Sequence, residues 1–189
     1  MASQLWVDAT RETILSYRRM IDACVEQLSD EELTHRPSAG INSVAVILRH
    51  LGGNLRSRWT DFLATDGEKP DRDRDTEFED WPSDRQSLLD FFDQGWQALT
   101  TTIESLDDEN VQQRVFIRGE AHSVPQAFQR SIAHIAYHAG QIAMIARTVH
   151  AGEWQWLSVR PGGSAEHNER TWGTPASRSA WGTNQQDEK

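Results

Sequence analysis

Several things are scarce in this chain. It has one cysteine, Cys24, in 189 residues, so it can form no internal disulfide, and its expected compartment is the reducing cytoplasm. No apolar run approaches the roughly 20 residues that span a bilayer. The best stretch, residues 41–51, is broken by Asn42, Ser43, Arg49 and His50, which argues against a membrane partner. The amino terminus shows no basic segment followed by an apolar one of the kind that directs secretion. Positive charge is also short. Nineteen Lys and Arg face 29 Asp and Glu, a formal net charge of −10, which disfavours nucleic acid as a partner because that affinity rests on cations meeting phosphates. No G-x-S-x-G, phosphate-binding loop, G-x-G-x-x-G pattern or internal repeat is present. What remains is a soluble globular chain with eight Trp and six Phe to fill a core, and seven histidines that leave imidazole and carboxylate as its chemistry.

The apolar pattern predicts helices. Leu5, Val7, Ile14, Leu15, Ile21, Val25 and Leu28 recur mainly at spacings of three, four and seven with charges between them, an amphipathic helix over residues 4–28. Ser29-Asp30-Glu31-Glu32 reads as a capping box opening a short helical turn, which His35-Arg36-Pro37 should end. Ser43 is placed to cap a second long helix running to about Ala64, interrupted by Gly52-Gly53, a pair that predicts a kink or a close approach by a neighbouring backbone. Residues 65–82 are charged and aperiodic and read as a long loop. Ser83-Asp84 caps a third helix to about Leu106, and Val115 to Glu120 suggest a short extended pair around a Gly turn. A fourth helix begins at His122-Ser123-Val124-Pro125 and continues through Phe128, Ile132, Ile135, Ile142, Ile145 and Val149. The expected fold is all-α, an antiparallel four-helix bundle over residues 1–150. A C-terminal extension over 151–170 is expected to pack on the bundle, and a flexible tail is expected over 171–189.

Two histidines stand out. His134 and His138 lie on one face of the fourth helix, about 6 Å apart along its axis, and can reach a common cation. Apolar residues flank both, so their ring nitrogens need partners, which a divalent metal or a buried Asn, Gln or water would supply. His50, in Ile47-Leu48-Arg49-His50-Leu51, has similar flanks and is the candidate third ligand. Three histidines with an open fourth position form a catalytic zinc arrangement, whereas a structural site is usually closed by a fourth side chain. Asn54 and Gln141 lie within about a turn of His50 and His138 and are candidates to orient them. Glu32 and His35 form a single E-x-x-H, which lacks the second copy that di-iron bundles need. His35, His122, His150 and His167 read as boundary or loop residues, and Cys24 as core.

Three segments carry a family likeness. The first is His50-Leu51-Gly52-Gly53-Asn54-Leu55-Arg56-Ser57-Arg58-Trp59, continuing to Pro70. The second is residues 134–142, ending in His138-Ala139-Gly140-Gln141-Ile142, and the third is Trp156-Leu157-Ser158 with residues 162–164. Across roughly residues 5–168 the chain resembles the DinB-like superfamily of four-helix bundles with a three-histidine metal site, most closely a mainly uncharacterised branch of it. Ser158-Val159-Arg160-Pro161 departs from the Ser-Ile-Pro-like pattern of that branch. The resemblance implies His50, His134 and His138 as ligands of a divalent metal, zinc or nickel before iron or copper. It also implies a small-molecule substrate, transfer or isomerisation through a low-molecular-weight thiol, and a homodimer. A metal-assisted hydrolase and a non-catalytic bundle clamped by a structural metal are the alternatives.

Overall fold

The structure is a computed structural model and describes residues 2–172. Its helices begin where a short polar side chain can accept a hydrogen bond from an otherwise unpartnered first-turn N–H. After α1 (Ala2–Val25), Ser29 and Glu32 form the reciprocal capping box that opens α2 (Asp30–Thr34). Ser43 caps α3 (Val44–Trp59), and Asp84, not Ser83, caps α4 (Arg85–Glu104) by accepting from Ser87 N at 2.8 Å. Ser123 and Gln126 box the start of α5 (Val124–Val149), with Pro125 in its first turn. The first helix ends at Val25 rather than Leu28, because Arg85 donates to the Val25 and Leu28 carbonyls and completes its C-terminus. The third ends at Trp59, five residues short of Ala64. There the Thr60 N–H and hydroxyl both donate to the Arg56 carbonyl, and Asp61 takes φ 48°, so the chain turns back while Phe62 stays buried.

The fold is mostly helical, with one two-stranded sheet. Helix α3 packs on α4 and α5, and α1 packs on α5 and α4. Trp59, Phe62 and Phe128 cluster with ring centroids 4.2 to 5.8 Å apart, among fully buried Ile14, Ile21, Leu48, Leu51 and Leu99. The glycine pair in α3 has two separate jobs. A Cβ on Gly95 of α4 would collide with the Gly52 carbonyl, and one on Gly52 would meet Phe91, so the two helix backbones touch at this crossing. Gly53 faces elsewhere: a Cβ there would collide with the Glu77 carboxylate.

Strands β1 (Arg114–Ile117) and β2 (Glu120–Ser123) pair antiparallel, Arg114 opposite Ser123 and Ile117 opposite Glu120. Their two-residue turn has φ 55° at Arg118 and 76° at Gly119, the left-handed pair that suits the twist of a tight hairpin. Asp66 accepts from both turn N–H groups at 2.8 and 2.7 Å, and Gly67 N donates to Phe116 O at 2.8 Å. The long loop 65–82 is thus tied to the hairpin at one end. It is tied to α3 through Ser57, whose hydroxyl accepts from Lys69 N at 2.9 Å. Within the loop, residues Thr76–Phe78 form one 3-10 turn.

Residues from 155 onward in the described part form a separate compact unit from residues 2–154. Its described part contains α6 (Ser164–Trp172), which enters the stretch expected as tail by two residues; residues 173–189 lie outside the described residues. Among the described residues no helix is long and apolar enough to cross a membrane.

Candidate metal centre

Helical periodicity sets His134 and His138 on the inner face of α5, and α3 presents His50 to them from across the packing interface. The three side chains converge, each offering one nitrogen within 4.8 Å of the others. His50 Nε2 lies 3.2 Å from His134 Nε2, and His138 Nε2 lies 3.1 Å from it. His50 and His138 are buried and His134 is half-buried.

Proton accounting decides what such a cluster can hold. His50 Nδ1–H donates to Glu77 Oε2 at 2.8 Å, because an ionised carboxylate can only accept. His138 Nδ1–H donates to Gln141 Oε1 at 2.8 Å, and the Gln141 amide nitrogen donates in turn to the Tyr137 hydroxyl. In its neutral form each ring, its proton held at Nδ1, turns an Nε2 lone pair inward. A neutral His134 carries one proton to set against those two lone pairs and its own. Burial, reinforced by the neighbouring imidazoles, pushes the His134 pKa down to about 3, and burial with His50 beside it pushes His138 to about 4. A cation placed among these nitrogens would satisfy the lone pairs that one proton cannot. Three nitrogens at ordinary zinc distances of about 2.0–2.1 Å stand about 3.3 Å apart in a tetrahedral set, close to the separations seen here. The residues present fit a divalent metal.

The shell around the ligands is only partly the one expected. Gln141 holds His138, as its spacing suggests. Asn54 is half-buried and lines the adjoining cavity, but among the described residues it makes no hydrogen bond to His50. That place belongs to Glu77, 4% exposed, whose carboxylate is clasped by Arg72 through Nε to Oε1 and Nη2 to Oε2, both 2.8 Å. Burial by itself would raise the Glu77 pKa, but the hydrogen bonds from Arg72 and His50 and the Arg72 charge outweigh it and hold the carboxylate below its usual range. Phe78 stacks on His50 with centroids 4.7 Å apart, and Gly53 leaves the space that Glu77 occupies. Of the other histidines, His35 is exposed, and His150 Nδ1 pairs with Glu32 at 3.3 Å. Cys24 is fully buried, with burial raising its thiol to about 11, so it is core and not a nucleophile.

Beside His50 and His134 lies a cavity of about 280 Å³, whose lining also includes Arg58, Arg72, Arg74, Arg118, Arg130 and Ser131. Among the described residues no fourth histidine, cysteine or carboxylate joins the three nitrogens.

Fold and site together define a mostly helical protein with a three-histidine cluster able to hold a metal. Over residues 1–163 the sequence matches the family described as protein of unknown function DUF1572, and the chain belongs to that family. No curated protein and no solved structure matches it.

Proposed function

We propose that this protein is a DinB-like metalloenzyme, a four-helix bundle of α1, α3, α4 and α5 whose His50, His134 and His138 hold zinc or nickel and whose reaction uses a low-molecular-weight thiol. The observation that carries this reading is the set of three converging imidazole nitrogens with a cavity at its side. A structural zinc site is usually closed by four protein ligands, whereas three ligands and a cavity match the open, catalytic kind. A divalent ion so held supplies Lewis acidity and holds a thiol as its thiolate near neutral pH.

The chain's own residues prepare that site. Glu77 fixes the tautomer and orientation of His50, Arg72 fixes Glu77, and Gln141 does for His138 what Glu77 does for His50. His134 and His138, held neutral by burial, need shed no proton to act as ligands.

Metal analysis of the purified protein and of His138→Ala tests the reading, followed by conjugation of a small thiol to a chromogenic electrophile. Stoichiometric zinc or nickel that is lost in the variant, with thiol-dependent turnover lost alongside it, is the expected result. Protein that takes up neither metal sinks the reading, and turnover of an ester without thiol moves it to a metal-assisted hydrolase. A homodimer through the exposed Tyr137 and Met144, one face of α5, belongs to the same proposal; a monomer by light scattering at micromolar concentration excludes it.

A further inference from the structure

The cavity beside the histidines has an unusual lining for a chain with net charge −10. Five arginines reach it: Arg58 and Arg74 from α3 and the loop, Arg72 behind His50, Arg118 from the hairpin turn and Arg130 from α5. The carboxylates placed to answer them are few. Glu68 is shared, 3.1 Å from Arg72, 3.3 Å from Arg118 and 4.0 Å from Arg58. Glu77 is taken by Arg72 and His50, and Asp66 is occupied by the backbone of the hairpin turn. Among the described residues neither Arg74 nor Arg130 has an ion-pair partner; Arg74 lies over the Phe78 ring, 5.0 Å from its centroid.

Two buried groups on the lining are unanswered. Arg58 is 8% exposed, and its Nη1 has no hydrogen-bond partner; Ser131 is 6% exposed, and its hydroxyl has none either. Buried guanidinium and hydroxyl donors left without acceptors are costly, and a cluster of like charges adds repulsion to that cost. An anion in the cavity relieves the repulsion among the arginines. The planar guanidinium fork matches carboxylate and phosphate oxygens, and a space of about 280 Å³ sits at the small end of ligand pockets.

We propose that this cavity binds the oxyanion group, carboxylate or phosphate, of a small substrate, with Arg74 and Arg130 as its receptors and the buried Arg58 charge behind them, beside the three-histidine centre. The inference rests on the metal reading only for where the substrate's other end lies. It makes the site selective for thiols or electrophiles that carry an acid group.

The test has two arms, both by calorimetry at low ionic strength. On zinc-loaded protein, 3-mercaptopropionate is compared with 2-mercaptoethanol; the expected result is at least tenfold tighter binding of the acid-bearing thiol. The double variant Arg74→Ala/Arg130→Ala, whose replaced side chains are exposed, should erase that preference while zinc content and mercaptoethanol binding stay as they were. Equal binding of the two thiols to the zinc-loaded native protein overturns the proposal. On metal-free protein, propionate and inorganic phosphate are titrated separately. Binding of either that the double variant weakens supports the oxyanion pocket even if the metal reading fails, and the tighter of the two identifies the group. No binding of either overturns the pocket even if zinc is bound.

Discussion

Glu77 has no contact with the substrate space proposed for the centre, yet it decides how well His50 can serve there. Its carboxylate holds the Nδ1 proton and so turns the Nε2 lone pair toward the other rings. Replacing it as Glu77→Gln keeps a hydrogen-bond acceptor but removes the charge, and zinc affinity measured against a competing chelator should fall about 10- to 100-fold. Acidity acts on the histidines themselves. His134 and His138 are pushed in the fold to about 3 and about 4, below the unfolded value near 6.5. Between those values the unfolded chain binds more protons than the folded one. The stability these two neutral rings allow is therefore whole above about pH 6.5 and is lost as pH falls toward their folded values. Melting of metal-free protein between about pH 7 and about pH 5 should show a falling Tm, with a shallower slope in His134→Asn. Of these residues, the sequence made the histidines readable and left Glu77 hidden. His134 and His138 declare themselves by a four-residue spacing among apolar neighbours. Glu77 lies in a charged loop without periodicity, 27 residues after its partner, and only the tertiary path of that loop brings it under α3.

Gly52-Gly53 shows what an element contributes that its residues do not disclose singly. Two glycines inside a helix signal a close approach, but not that one admits a helix and the other a carboxylate. The Gly95 contact on the Gly52 carbonyl sets how near α3 and α4 can come. In Gly95→Ala the added methyl must part the two backbones, so this substitution should destabilise by about 1–3 kcal/mol although alanine favours helix by about 1 kcal/mol. Gly140 supplies the control within α5, since it is exposed and a Cβ there meets nothing within 4 Å. Gly140→Ala should stabilise by about 0.5–1 kcal/mol. Urea titration of both variants reads the opposite signs. The helices themselves were legible because Ser29, Ser43, Asp84 and Ser123 sit at the starts of apolar periods. Two of the ends were not. Arg85 closes α1 from 57 residues beyond Leu28, and the Asp61 turn that stops α3 early interrupts an apolar pattern that continues through Phe62 and Leu63.

At the scale of the whole molecule, the net charge of −10 conceals an opposite local sign. Arginines gather around one cavity while the acidic excess is spread elsewhere, so average charge does not describe the site. The same separation of average from site governs stability. His50 belongs to α3 and His134 and His138 to α5, 84 residues apart along the chain from the first to the second, and the three are assembled only in the fold. A metal they shared would bind the native state in preference to the unfolded one and raise stability by mass action, by about 2.7 kcal/mol when free metal stands at 100 times its Kd. For a chain of this size each kcal/mol moves Tm by about 2–4 °C, so excess chelator should lower the melting temperature of zinc-loaded protein by roughly 5–10 °C. His138→Ala, followed by the same helical circular-dichroism signal, should melt at one temperature with or without chelator. A native protein equally indifferent to chelator after zinc loading would mean that the three histidines hold no metal tightly enough to couple α3 to α5.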